Sequence, residues 1–142
     1  MAIRYYEHNI PSLLTQKRKL SQYLKELIYR HLPIKKISLS YIFCDDGYLL
    51  GINQDFLDHD TYTDIITFDL SETSDELVGE IYISIERVRE NAGRFEAPYL
   101  RELHRVIFHG VLHLCGYRDK TPKDQAAMRK AEDNCLLEYL GK

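Results

Sequence analysis

The chain has no tryptophan, and only two methionines, three cysteines and four prolines among its 142 residues. Cys44, Cys115 and Cys135 are odd in number and form no Cys-x-x-Cys pair. That argues against a disulfide framework and against a cysteine-based zinc site. They read instead as reduced, mostly buried small residues of a cytoplasmic protein without a disulfide partner. No apolar run approaches the roughly 20 residues needed to cross a bilayer. The first eight residues lack the apolar core of a secretory leader. Repeats, low-complexity stretches and Pro/Gly-rich linkers are also missing, which leaves one domain over 1–142 as the expectation. The longest absence is of positive charge. Residues 37–86 hold twelve Asp and Glu but no Lys or Arg, whereas residues 1–36 carry a net +6 and residues 87–142 a net +3. With a total of −3 this is no basic protein that coats nucleic acid indiscriminately. A basic face confined to its helices remains compatible with that balance, as does a set of merely solvated surfaces.

What is present reads as strands and helices that do not alternate strictly. Residues 3–7 suggest a short strand. Leu20, Leu24, Leu27, Ile28 and His31 recur at helical spacing among lysines and arginines, in a helix ending near Pro33. Ile37, Leu39, Tyr41 and Phe43 alternate with Ser38, Ser40 and Ile42, a strand with one buried face. Asp45-Asp46-Gly47 predicts a turn, residues 48–57 a short helix, 65–68 and 78–84 strands, and 71–76 a polar loop. A helix follows from Ile85 to about Phe95. Pro98 suits the start of the next, whose Leu100, Leu103, Ile107, Phe108, Val111, Leu112 and Leu114 cover most of its circumference and predict deep burial. Gly116 can end it in a left-handed turn. Thr121-Pro122-Lys123-Asp124 opens a last helix reaching Leu140. The order β-α-β-(α)-β-β-α-α-α predicts an α+β fold: one mixed sheet of about four strands, packed with about five helices.

Chemistry concentrates in His109-Gly-Val-Leu-His113-Leu-Cys-Gly116-Tyr-Arg-Asp119. Two histidines four apart on a helix put both imidazoles on one face, one turn apart, as two bonds to one ion require. The Gly116 turn lets Asp119 return as a third ligand. Three protein ligands leave a fourth position for water, which a bound zinc ion makes a nucleophile near neutral pH. His109, His113 and Asp119 are therefore the candidate ligands of one zinc ion per chain, on a buried central helix. Zinc-peptidase motifs share this spacing but carry a glutamate after the first histidine as general base. Here that position is Gly110, which counts against peptide hydrolysis. Arg105, one turn before His109, is a candidate for stabilising charge on a phosphate; an ion pair with Glu102 or Glu86 is the competing reading. His59 and His104 stand in no local pattern, and His104 reads as a packing residue.

The segment from His109 to Tyr117 closely resembles the signature of the YbeY family, bacterial ribosomal-RNA maturation factors regarded as zinc-dependent endoribonucleases. That signature runs His-Gly-x-Leu-His-Leu-x-Gly-Tyr-Asp-His. Asn53 with Thr63-Asp64-Ile65-Ile66-Thr67-Phe68 is similar to the family's Asn…Thr-Asp-Val-Leu-Ser-Phe segment, and Gly79-Glu80-Ile81-Tyr82-Ile83-Ser84 to its Gly-Asp-Ile-x-Ile-Ser strand. The likeness spans roughly residues 50–120. It implies a zinc-dependent endoribonuclease acting in 16S ribosomal-RNA processing, with ribosomal RNA and the small ribosomal subunit as partners. Three positions depart from the family: Asp119 replaces the third histidine, Arg118 the aspartate before it, and Leu57 an arginine four residues after the asparagine. The carboxylate still suits zinc, although its charge should leave the bound water less acidic. Two other readings stay open: a ribosome-assembly or RNA-binding factor with a non-catalytic metal, and a metallopeptidase.

Overall fold

In the computed structural model the described residues are 2–57 and 63–141, the side chains of residues 56 and 57 excepted; His59 lies outside them. The elements are β1 (Ala2–His8), α1 (Lys17–His31), β2 (Lys36–Cys44), α2 (Asp46–Leu57), β3 (Ile65–Asp69), β4 (Glu76–Ser84), α3 (Ile85–Arg94), α4 (Tyr99–Leu114) and α5 (Pro122–Leu140). They match the expected order. The turn at residues 45–47 is the one change of kind. The Asp45 carboxylate accepts the Tyr48 N–H at 2.7 Å, so it caps α2, and Asp46 and Gly47 become the helix's first turn.

The strands form one mixed sheet in the order β1-β2-β4-β3. β1, β2 and β4 run parallel, and β3 pairs antiparallel with β4 along the edge. Period-two alternation separates the two faces. Ile37, Leu39, Tyr41 and Phe43 of β2 and Ile81 and Ile83 of β4 are fully buried in the main core with α1, α3, α4 and α5. The opposite face is partly covered by α2, whose Leu49 and Ile52 pack with Cys44 and Ile66. None of the cysteines forms a disulfide. Burial raises the thiols of Cys44 and Cys115 to about 12, which keeps both protonated near neutral pH. Among the described residues no helix is long and apolar enough to cross a membrane.

Helix α4 is the axis of the molecule, buried along Glu102–Phe108 and Gly110–Leu112. Two glycines set how close it lies to the sheet. A Cβ on Gly110 would meet Ile81 Cγ2 at 2.9 Å and Ile65 Cδ1 at 3.0 Å; one on Gly79 would meet the Phe68 carbonyl oxygen at 2.7 Å and Leu114 Cδ1 at 3.3 Å. The position that holds glutamate in zinc peptidases thus faces the sheet here, where a side chain has no room. Gly110→Ala should destabilise the fold by only about 1 kcal/mol, since overpacking costs ~1–3 kcal/mol and better helix propensity returns ~1. Gly79→Ala should cost more, about 3 kcal/mol, because a backbone carbonyl yields less than an isoleucine methyl. Urea unfolding of the two variants checks the order; a Gly79→Ala protein as stable as wild type would refute the close approach.

Candidate metal centre

The C-terminal end of α4 is closed as the sequence suggested. Gly116 takes φ 111°. Its N–H donates to His113 O at 3.0 Å, and the Tyr117 N–H donates to Leu112 O at 3.1 Å, the bond pair of a Schellman turn. The chain then runs to Thr121, whose hydroxyl accepts the Asp124 N–H at 3.0 Å and caps α5. Between these two fixed ends the Asp119 carbonyl accepts a bond from Gln125 Nε2 at 3.1 Å. Two helix termini and one side-chain bond therefore hold Asp119 in place.

The result brings Asp119 back to α4. Its Oδ2 stands 3.6 Å from His109 Nε2, too far for a good hydrogen bond. Two ligands of one tetrahedral zinc, each ~2.0–2.1 Å from the ion, stand about 3.3 Å apart. The other ring nitrogen is engaged: His109 Nδ1–H donates to Glu132 Oε2 at 2.7 Å. An ionised carboxylate can only accept, so Nδ1 carries a proton, and Nε2, which offers a lone pair once the ring is neutral, is the nitrogen turned towards Asp119. Burial alone would lower the affinity of His109 for a second proton. The Glu132 hydrogen bond, with the charges of Glu132, Asp64 and Asp119, outweighs it and raises the imidazole above its ordinary value.

Glu132 is itself held. Its Oε1 accepts from Arg105 Nη1 at 3.0 Å, and Arg105 Nη2 donates to Asp133 Oδ1 at 2.7 Å. The side chains of Arg105 and Glu132 are only 10% and 7% exposed. The ion pair that competed with a phosphate role for Arg105 exists, but with Glu132 and Asp133 of α5 rather than with Glu102 or Glu86, and Glu86 instead accepts the Asp46 N–H at 2.8 Å. His104 packs as expected: it is buried, its Nδ1 bonds the Leu100 carbonyl at 2.6 Å, and its ring lies 5.4 Å from that of Tyr139.

His109, His113 and Asp119 all line one cavity of about 520 Å³, together with Arg105, Glu132 and Asp64. His113 and Asp119 are exposed and His109 half-buried. Among the described residues no three His, Cys, Asp or Glu side chains are gathered closely enough to hold an ion as they stand. His109 and Asp119 face each other at 3.6 Å, and His113 borders the same cavity. The donor set nonetheless fits zinc: two imidazoles and a carboxylate border one space, and one imidazole already has its tautomer set by an outer carboxylate.

Sequence reasoning missed Glu132 and Asp64. Burial raises the Asp64 carboxyl, opposed in part by His109, and its Oδ2 accepts a long 3.4 Å bond from Asn91. A signal for Glu132 existed. Met128, Glu132, Cys135, Leu136 and Tyr139 form the buried stripe of α5, and a carboxylate on such a stripe demands a partner.

Residues 5–140 match the profile of the family described as endoribonuclease YbeY, well beyond the 50–120 region that carried the motifs. The endoribonuclease YbeY of Flavobacterium psychrophilum is 60% identical over 98 residues, 69% of each chain. That of Porphyromonas gingivalis is 46% identical over 136 residues, 95% of this chain and 88% of the relative. A Thermotoga maritima protein solved in solution superposes with a TM-score of 0.64 at 26% identity, covering 99% of this chain and 90% of the other. The chain belongs to the endoribonuclease YbeY family.

Proposed function

We propose that this endoribonuclease cuts ribosomal RNA during maturation of 16S RNA in the small subunit, in the cytoplasm, with one zinc ion held by His109, His113 and Asp119. One observation carries the metal assignment: His109 donates its Nδ1–H in a hydrogen bond to Glu132 and turns Nε2 towards the Asp119 carboxylate. An imidazole oriented by an outer carboxylate is the arrangement of a metal ligand. Zinc would supply Lewis acidity and a water acidic enough to lose a proton near neutral pH.

The chain's own residues do the rest. Arg105 and Glu132 keep His109 in one tautomer and one orientation. Arg94 and Arg129, both exposed on the cavity wall, are placed to meet phosphates of the RNA backbone. Arg105, the residue suggested for phosphate, spends both terminal nitrogens on Glu132 and Asp133, so its part is to hold Glu132 rather than to meet the RNA directly. Gly110, pressed against Ile81, leaves no place for the glutamate base of peptidases, so RNA is favoured over peptide.

The test is metal content measured beside cleavage of a 16S RNA fragment. The protein should hold about one zinc per chain, lose cleavage on chelation and regain it with added zinc. Full cleavage by metal-free protein would refute the catalytic metal.

A further inference from the structure

One side of the cavity is built from an exposed aromatic ring. Phe95 is 53% exposed and lines the same space as His109 and Asp119. Isolated surface phenylalanines are common; three features set this one apart. First, its backbone is fixed. Phe95 ends α3, its N–H donating to Asn91 O at 2.9 Å, and the Ala97 N–H returns to Ala92 O at 2.9 Å. Second, that closure requires Glu96 at φ 53°, a left-handed conformation where glycine is the usual occupant. A side-chain-bearing residue is thus held in a disfavoured state while the ring beside it stays at the rim. Third, cations accompany the ring. The Arg129 guanidinium lies 5.9 Å from its centroid, and Arg94 is the preceding residue, its side chain 65% exposed in a loose ion pair, 3.6 Å, with Glu90. Both arginines border the cavity.

An exposed aromatic face on a fixed backbone, with the Arg129 guanidinium beside it and Arg94 on the same cavity wall, matches the chemistry of a nucleobase with its neighbouring phosphates. We propose that Phe95, Arg94 and Arg129 form a nucleobase subsite: the ring stacks one unpaired base of the RNA, and the arginines hold phosphates beside it. The adjoining phosphodiester is thereby positioned against His109 and Asp119. Phe95 is a positioning residue in this scheme, since it never touches the reacting atoms. The proposal rests on the reading of the cavity as the RNA-cleaving site.

The experiment compares wild type, Phe95→Ala, Phe95→Leu and Phe95→Trp, with zinc supplied, on a synthetic RNA that the wild type cuts. Matched RNAs carry an abasic ribose at each nucleotide flanking the cut. KM and kcat are measured together with Kd by fluorescence anisotropy. Phe95→Ala and Phe95→Leu should each raise KM and Kd about tenfold with kcat changed far less, as expected for one lost stack. Leucine keeps the bulk but lacks the π-face, so it should not rescue, whereas tryptophan should. On the RNA lacking the stacked base, wild type and Phe95→Ala should bind alike. Unchanged KM and Kd in Phe95→Ala, rescue by leucine, or a defect that persists on every abasic RNA would each overturn the subsite. Absence of cleavage by wild type on every RNA tried would strike the nuclease reading alone, and the Kd comparison would still decide the subsite.

Discussion

His113→Ala is expected to lower RNA cleavage about a thousandfold, the loss of several kcal/mol that removing a Lewis acid from a phosphoryl site implies. Bound zinc should fall with it. Among the three proposed ligands His113 is the cleanest to remove. It is exposed near the end of α4, whereas His109 is tied to Glu132 at 2.7 Å and its loss would disturb a buried network. Metal-free His113→Ala should therefore unfold at nearly the same temperature as metal-free wild type, within the ~0.5 kcal/mol typical of surface substitutions. Zinc should raise the Tm of wild type and leave that of the variant almost unmoved, because a ligand stabilises only the state that binds it. Metal content, calorimetry and cleavage of one RNA fragment read all three effects. A stable His113→Ala protein that cleaves normally, or that complements a deletion strain, would shift the role of the centre from chemistry to assembly.

The features legible in the sequence are those written within a single helical turn or a single reversal. His109 and His113 share a face because four residues make about one turn. Gly116 reverses the chain because only a residue without Cβ enters that conformation cheaply. Thr121 caps α5 because its hydroxyl reaches the N–H three residues on. The alternation of Ile37, Leu39, Tyr41 and Phe43 fixes which face of β2 is buried. What stayed hidden depends on how distant elements pack. Glu132 reaches His109 only because α5 lies along α4, and no local spacing encodes that crossing. The partners of Arg105 are hidden for the same reason: Glu102 is near in sequence, but Glu132 and Asp133 are near in space. Gly110 shows a middle case. The sequence says that a glutamate is absent, while the approach of Ile81 and Ile65 explains why none fits.

The strongest effect on the buried network should come from Glu132. Glu132→Ala leaves the Arg105 guanidinium, 10% exposed, with Asp133 as its remaining ion-pair partner among the described residues. Removing one member of a buried pair costs ~3–5 kcal/mol, and Asp133, being 54% exposed, compensates poorly. We expect a loss of about 3 kcal/mol, read as a lower urea midpoint with an unchanged slope. Glu132→Gln tests the other half of the argument. Its amide has one accepting oxygen for two donors, Arg105 Nη1 and His109 Nδ1. If the oxygen stays with the guanidinium, the amide NH₂ faces the imidazole and donates to Nδ1. The ring proton must then move to Nε2, the nitrogen turned towards Asp119, which removes the lone pair a metal needs. Zinc affinity should fall by roughly ten- to a hundredfold, the usual consequence of losing an outer carboxylate, in a protein that remains folded. Competition with a zinc-binding dye measures it. Equal zinc affinity in wild type and Glu132→Gln would mean that His109 is not oriented by Glu132, and the observation that carries the metal assignment would lose its force.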